Sequence, residues 1–263
     1  FKYFYERRIR RLLPALLLVT IVSIPLAWVF LMPKNFLDFI QSVLYALGFT
    51  SNFYFLSGLE YNTDVGLSKP FLHTWSLSIE EQYYILFPIF LLTIFKYFRN
   101  YLGIIFFCIF LVSLGIADWG SKNYPKFNFY ILPTRGWELI AGSFLSYLEL
   151  KIGREKKYYL SNSILSGAGF FLIIHSIIFF NDEMFHPSFY TISPVIGVCL
   201  IIWFSNKRDF LTQLLSSKTL VSLGLISYSL YLWHYPIFTF LEAKFFYFYN
   251  DLKIIAILLS ITI

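Results

Sequence analysis

The sequence contains little charge and little cysteine, and both shortages restrict what the chain can be. Only 14% of its 263 residues are charged, whereas 58% are hydrophobic and 22% are aromatic. A soluble domain needs a polar shell, which this composition does not supply. The two cysteines, Cys108 and Cys199, lie inside apolar runs without the spacing of metal ligands. We therefore interpret them as small core residues and expect neither a disulfide framework nor a metal site.

The apolar runs also lack the alternation of a transmembrane barrel. They are continuously apolar over about 17 to 22 residues, the length at which a helix crosses about 30 Å of hydrocarbon. No internal repeat or low-complexity linker interrupts the chain. The sequence therefore predicts an all-α protein, a polytopic transmembrane helical bundle whose main partner is the lipid bilayer.

Predicted spans follow one another with short connections. The first covers about 12–31 with a kink at Pro25, and a central one covers about 73–95. Later spans are predicted at 102–118, 129–149, 161–180, 189–205, 220–241 and from 254 onward. The chain begins at Phe1 in a charged segment and ends at Ile263 within an apolar run. We expect a single membrane domain over 1–263, truncated at both ends.

Basic clusters between the spans indicate orientation. The formal net charge of +6 comes from connecting segments, which favours a membrane topology signal over nucleic-acid binding. If every basic cluster is cytoplasmic, the segments 118–128 and 181–183 lie outside. That arrangement requires the more polar segment 36–56 to be re-entrant, or an extra crossing before His73. A plain alternation of spans would instead place basic clusters on both sides.

The central span opens with polar and ionisable residues. At 3.6 residues per turn, one helical face carries His73, Ser76 or Leu77, Glu80 and Tyr84, so a base and an acid can line the same slot. Charge near the bilayer centre costs about 2.5 to 3.5 kcal/mol per group, and less toward the interface. The pair His73 and Glu80 therefore favours a chemical role. For Glu81, solvation in the headgroup layer is the alternative explanation.

Two further polar islands interrupt apolar sequence. Arg135 precedes Glu138 by three residues at the start of a predicted helix, either as a mutually neutralising structural pair or as groups for chemistry. Farther along, Ser227, Tyr231 and His234 share a helical stripe on which hydroxyls and an imidazole could relay protons. A single membrane histidine is more often a packing residue, so His73 ranks above His234.

An arginine cluster directly precedes the first span. It consists of Arg7, Arg8, Arg10 and Arg11. A topology signal would be satisfied equally by lysine, whereas exclusive use of arginine suits a planar, bidentate phosphate clamp. Both explanations stay open from these residues alone.

Together these motifs resemble the acyltransferase 3 family of integral-membrane proteins. The resemblance covers the whole chain and rests on segments in the expected order, namely 4–16, 50–55, 73–88, 133–142 and 227–236. The family's first two spans, which carry a catalytic-type histidine and an aromatic-rich Ser-Gly motif, are absent here.

The resemblance implies an acyltransferase for groups other than amino-acyl groups, in the bacterial inner (plasma) membrane. The implied donor is cytoplasmic acyl-CoA, usually acetyl-CoA. The implied acceptor is a hydroxyl of a surface polysaccharide, lipopolysaccharide, or other glycan or lipid-linked sugar. Arg8 and Arg11 match the family's paired-arginine signature and would bind the donor, with Arg7 and Arg10 beside them.

Within this chain His73 and Glu80 would form the polar centre. The further candidates are Glu81, Arg135, Glu138, Tyr231 and His234. A histidine base and an oxyanion donor such as Arg135 or Tyr231 would each contribute about two to four powers of ten in rate. Direct transfer and an acyl-histidine intermediate both stay open. The rival function is transport of an anionic sugar or metabolite, which would release no free coenzyme A.

Overall fold

The computed structural model of the protein describes residues 2–58, 69–153, 159–181 and 184–244. Across these ranges the regular elements are helices, and no strand is found among them. The helices are α1 (Lys2–Phe30), α2 (Pro33–Leu47), α3 (Ser51–Gly58), α4 (Thr74–Tyr97), α5 (Leu102–Asn123), α6 (Pro125–Tyr130), α7 (Leu132–Ile152), α8 (Tyr159–Phe179), α9 (Ile192–Phe204), α10 (Phe210–Leu215) and α11 (Lys218–Lys244). The predicted all-α fold is confirmed.

Several helices are suited to cross a bilayer. By length and apolar composition, the candidate spans are α1, α4, the stretch Arg99–Asn123 that includes α5, and Ser161–Phe179 of α8. Helices α7 and α11, with 21 and 27 residues, are not among these candidates. The protein is thus a polytopic membrane protein. The span predicted from 254 onward lies outside the described residues.

The chain divides into two compact units. Residues 1–79 and 222–263 form the first unit, and residues 80–221 form the second. Helix α4 contributes its first turns to the first unit and the remainder to the second. Each unit has a hydrophobic core of its own.

The core of the first unit is built from α1, α2, α11 and the turn before α4. Leu16 and Leu232 are completely buried in it. Phe39 meets Phe71 and Phe240 edge to face, with ring centroids 5.2 and 6.5 Å apart. Such aromatic pairs add about 0.5 to 1.5 kcal/mol each beyond the area that they bury. This core holds α11 against the elements that flank His73.

The arginine cluster forms part of α1 itself. The sequence suggested a charged segment ahead of the first span, but the helix already begins at Lys2 and continues through Pro14 and Pro25. Arginine is a good helix former, and its long apolar stem tolerates a position near a membrane surface. The arginines are therefore presented on a rigid element.

The segment predicted not to cross as one helix is broken into two. Helix α2 has 15 residues and α3 has 8, which span about 22 and 12 Å, short of about 30 Å of hydrocarbon. Phe49 between them has a positive φ of 52°. The Tyr45 and Tyr54 rings stack 4.9 Å apart across the break. The break places the start of α3 beside the first unit's core, and the course of this segment through the membrane stays a prediction.

In the second unit, α8 and α9 approach to backbone contact. A Cβ built on Gly169 would lie 2.6 Å from the Gly197 carbonyl oxygen, and the reverse distance is also 2.6 Å. Small residues at such crossings let helices pack closely in membranes, where van der Waals contact is the main source of association. The two glycines are therefore part of the packing.

A buried asparagine ties together four segments of the second unit. Asn128 Nδ2 donates to the carbonyl oxygens of Ala117 at 2.9 Å and Pro187 at 3.2 Å. Thr134 Oγ1 donates to the Asn128 carbonyl at 2.5 Å. A Cβ on Gly120 would lie 2.4 Å from Asn128 Oδ1, so only glycine leaves room there. These contacts fix the start of α7, which carries the next polar island.

Candidate functional site

Two histidines from distant parts of the sequence meet in the first unit. His73 lies just before α4 and is 7% exposed, whereas His234 on α11 is exposed. Their ring centroids are 5.4 Å apart. Tyr231 and Tyr235 flank His73 at 5.2 and 5.3 Å, the latter nearly parallel to the imidazole. The structure thus joins two predicted islands into one cluster.

Hydroxyl groups fix the backbone at this cluster. Tyr231 Oη donates to the His73 carbonyl oxygen. Ser76 Oγ lies 2.6 Å from the same phenol oxygen. A phenol has a single hydroxyl proton, and Tyr231 already donates it to the His73 carbonyl oxygen. The Ser76 hydroxyl is therefore the donor in its bond to Tyr231. These two bonds connect α11 to the start of α4. The hydroxyl proton of Tyr231 is engaged in a bond within the protein.

The hydrogen bond of His234 defines its tautomer. Its Nδ1 lies 2.7 Å from the Tyr231 carbonyl oxygen, one helical turn back. A carbonyl only accepts, so Nδ1 carries the proton and Nε2 of the neutral ring carries a lone pair. An exposed imidazole held this way presents a general base at Nε2.

His73 is poised differently. Among the described residues, neither of its ring nitrogens has a hydrogen-bond partner of good geometry, although the backbones of Pro70 and Leu232 lie close to the ring. Leaving a buried polar group unsatisfied costs about 1 to 3 kcal/mol. A ligand hydroxyl or carbonyl that reaches this ring would recover that cost.

The two glutamates of α4 differ in burial. Glu81 is buried and Glu80 is exposed. The sequence suggested the reverse, because it extended the helical stripe through His73, whereas α4 begins at Thr74. Both glutamates belong to the second unit. Their catalytic roles stay predictions.

The Arg135 and Glu138 pair occupies the first turns of α7 in the second unit. The Arg135 Nε to Glu138 Oε1 distance is 3.9 Å, and both side chains are partly buried. The Arg135 guanidinium also lies over the Phe129 ring, 5.0 Å from its centroid. The predicted proximity is confirmed. The separation is at the limit of an ion pair.

The arginines of α1 are not equivalent. Arg10 pairs with Glu6 at 2.8 Å on the exposed surface of the helix. Arg7 and Arg11 are exposed, and Arg8 is partly buried with its guanidinium 5.7 Å from the Phe4 centroid. At helical spacing, Arg8 and Arg11 share a face.

A hydrogen bond places this arginine turn beside α11. Tyr228 Oη donates to the Leu12 carbonyl oxygen at 3.2 Å. Arg8 and Arg11 lie within four residues of Leu12, or about 6 Å along the helix axis. His234 lies six residues beyond Tyr228, about 9 Å along α11. The arginine turn of α1 therefore meets α11 within the first unit, about two helical turns before His234.

The remaining candidate features of the described residues are possible metal ligands, two further histidines and a cavity. No group of three or more His, Cys, Asp or Glu side chains in the described ranges could hold a metal ion. His175 and His186, which had no predicted role, pack against aromatic rings. A cavity of about 470 Å³ in the second unit is lined by apolar residues of α4, α5 and α7.

Some neighbours of the imidazole pair were not among the predicted site residues. These are Ser76, which bonds to Tyr231, and Tyr235, which stacks on His73. Tyr235 could have been found, because it lies four residues after Tyr231 on the same helical face. Ser76 lies inside the polar stretch that opens α4, but its partner is remote in sequence.

An imidazole pair inside a membrane helical bundle fits a membrane enzyme that transfers a group with acid–base help. The family model described as an acyltransferase domain matches the chain over residues 1–263. The chain belongs to the acyltransferase 3 family, and the resemblance seen in its motifs is confirmed.

Curated relatives point the same way. The chain is 32% identical over 261 residues to the peptidoglycan O-acetyltransferase OatA of Listeria monocytogenes, which covers 90% of this chain and 40% of that protein. It is 31% identical over 256 residues to the O-acetyltransferase OatA of Staphylococcus aureus, covering 91% of this chain and 41% of that protein. The chain thus spans about two-fifths of these relatives' length. No solved structure gives a significant match.

Proposed function

We propose that this chain is the membrane acyl-transfer domain of an O-acetyltransferase of the bacterial plasma membrane. It moves an acetyl group from cytoplasmic acetyl-CoA to a hydroxyl of a cell-envelope polysaccharide. The observation that carries this proposal is the pairing of His73 with His234 in a chain of the acyltransferase 3 family. The names of the relatives support acetyl as the acyl group and peptidoglycan as the class of acceptor.

In this proposal His234 is the base. Its Nε2 takes the proton of the acceptor hydroxyl while the hydroxyl oxygen attacks the thioester carbonyl carbon. The carbon–sulfur bond then breaks, and the imidazolium returns the proton to the leaving thiolate. The net change is one new carbon–oxygen bond, one broken carbon–sulfur bond and one proton moved from oxygen to sulfur. General acid–base help of this kind contributes about 10² to 10⁴ in rate.

His73 complements this base without carrying a charge of its own. Charging a buried imidazole is costly, and two imidazolium rings with centroids 5.4 Å apart would repel each other. A neutral His73 can bind the substrate through either ring nitrogen. It therefore orients the reacting group beside His234.

The arginines of α1 supply the donor site. Coenzyme A carries a pyrophosphate and a 3′-phosphate, and arginine makes charge-assisted, forked hydrogen bonds to such oxygens. Arg8 and Arg11 share a helical face, while Arg10 is already paired with Glu6. The contact between Leu12 and Tyr228 supports delivery of the thioester toward the imidazole pair.

Tyr231 is better suited to support than to oxyanion binding. Its proton is donated to the His73 carbonyl, so it holds the imidazole pair together. The oxyanion role predicted for Arg135, and the role of Glu138, stay predictions. They concern residues of the second unit.

The test uses the full protein that carries this chain, in membrane vesicles supplied with labelled acetyl-CoA on the cytoplasmic side. We expect release of free coenzyme A together with label in the glycan, and loss of both in His73→Ala and His234→Ala variants. His175→Ala is the matched control, because His175 is also an exposed membrane histidine but packs against Phe179. Passage of a sugar or metabolite without coenzyme A release would contradict the proposal and favour transport.

A further inference from the structure

Three buried hydroxyls form a hydrogen-bonded chain beside His73. Ser51, Thr74 and Ser78 are almost completely buried, all in the first unit. Ser51 Oγ lies 2.7 Å from Ser78 Oγ and 3.0 Å from Thr74 Oγ1. The Ser51 backbone N–H donates to Ser78 Oγ at 3.1 Å. Ser51 is thus bonded through both its side chain and its backbone.

This chain of hydroxyls anchors the turn that carries His73. Thr74 Oγ1 donates to the Phe71 carbonyl oxygen at 2.7 Å, which closes the turn from Phe71 to Thr74. Ser51 is the first residue of α3 and connects that turn to this helix. Ser78 lies one helical turn after Thr74 on α4. On its other side the turn is held by the Tyr231 hydroxyl at the His73 carbonyl.

The anchoring matters because no described side chain bonds to the His73 ring nitrogens, and the backbones of Pro70 and Leu232 lie close to the ring. Most functional histidines are oriented by a bond at the second ring nitrogen. Here the backbone and the packing of Tyr231 and Tyr235 must do this instead. A change in the backbone anchor therefore transfers directly to the imidazole.

We propose that Ser51, together with Thr74 and Ser78, is a positioning residue that fixes the His73 imidazole for acyl transfer. The inference rests on the proposed function, in which His73 orients the reacting group. Loss of the Ser51 hydroxyl leaves the hydroxyls of Thr74 and Ser78 without their shared partner in a buried site. The turn then keeps its anchor at Tyr231 and its internal bond from Thr74 to Phe71 but loses the direct hydroxyl bond from Thr74 to α3. A displacement of about 1 Å costs on the order of 100-fold in rate.

The first experiment compares Ser51→Ala with Ser42→Ala in the full protein in vesicles. Ser42 is also a buried serine of the first unit, but it donates at 2.7 Å to the Phe39 carbonyl of its own helix. We expect Ser51→Ala to lower kcat about 10- to 100-fold per folded enzyme. The KM for acetyl-CoA should change less than about twofold, because Ser51 is not part of the arginine site proposed to bind the donor. Equal kcat values in the two variants would overturn the proposal.

A second pair of variants guards against simple misfolding. Thr74→Ser keeps the hydroxyl, and Thr74→Val keeps the shape but removes it. We expect wild-type kcat within about threefold for the serine variant, and a loss comparable to that of Ser51→Ala for the valine variant, because a valine cannot bond to Ser51. Full activity of the valine variant would contradict a positioning role for the hydroxyls.

The deciding measurement is a double-mutant cycle with His73→Ala. If Ser51 acts through His73, adding Ser51→Ala to His73→Ala lowers kcat less than about twofold further. The same loss in both backgrounds would assign Ser51 a purely structural role. Wild-type kcat in His73→Ala alone is a separate outcome, which would remove His73 from the proposed function.

Discussion

The substitution His234→Asn separates the two nitrogens of the exposed imidazole. An asparagine amide nitrogen can take the position of Nδ1 and donate to the Tyr231 carbonyl, as the wild-type ring does at 2.7 Å. Nothing in asparagine replaces Nε2. The variant therefore keeps the local hydrogen bond and loses the base.

Two magnitudes follow. The retained hydrogen bond is worth about 0.5 to 1.5 kcal/mol, and the side chain is exposed, so the unfolding temperature in detergent should change by no more than a few degrees. Loss of a general base should lower kcat about 10²- to 10⁴-fold, which corresponds to about 2.7 to 5.5 kcal/mol in the activation barrier. We thus expect a large loss of kcat with little change in the unfolding temperature.

The assay is coenzyme A release per folded molecule at saturating acetyl-CoA, in vesicles of the full protein. His175→Asn is the control and should retain wild-type turnover. His234→Gln, which places an amide rather than a base near the position of Nε2, should be as slow as the asparagine variant. Turnover of His234→Asn within threefold of wild type would refute the assignment of Nε2 as the base.

Two further predictions concern the arginines and the helix crossing. Arg11→Lys should raise the KM for acetyl-CoA about 10-fold, because lysine keeps the charge but loses the fork, whereas Arg99→Lys, at an exposed arginine of the second unit, should change it less than about twofold. An unchanged KM in Arg11→Lys would return the cluster to a topology signal. Gly197→Ala should lower the free energy of unfolding by about 1 to 3 kcal/mol, since the new Cβ would lie 2.6 Å from the Gly169 carbonyl oxygen. Gly115→Ala is its control, because a Cβ there would meet no described atom within 4 Å; equal unfolding temperatures would refute the close crossing.

Local sequence patterns predicted the helices well and the site only in part. Run length and composition located α5 and α8, and the polar segment 36–56 was expected not to cross as one helix. These features depend on hydrophobic length and on breaks in it, which are local properties. Burial of Glu81 in place of Glu80 was missed, because His73 lies in the turn before α4, so the helical face drawn through His73 is not the buried face of the helix.

The pairing of His73 with His234 could not be predicted from either motif alone. It depends on tertiary contacts between α11 and the start of α4, namely the Tyr231 hydroxyl and the packing of Tyr235. The role of Ser51 was hidden for the same reason, since its partners are more than 20 residues away, at sequence separations of 23 and 27. A serine or threonine in an apolar helix indicates that a hydrogen-bond partner exists, but the sequence does not identify that partner.

The first unit is formed from two separate segments of the chain, so motifs that lie far apart in the sequence meet within it. The arginine turn of α1, the turn at His73 and the His234 turn of α11 come from 1–79 and 222–244, on either side of the second unit's residues. Hydrogen bonds from Tyr228 to Leu12 and from Tyr231 to His73 join those two parts of the chain one helical turn apart on α11. The same face of α11 therefore meets the element proposed to bind the donor's phosphates and the element that carries the buried imidazole. In the proposed function, donor binding and proton transfer then depend on the register of a single helix, so a positional change of one turn in α11 should affect both.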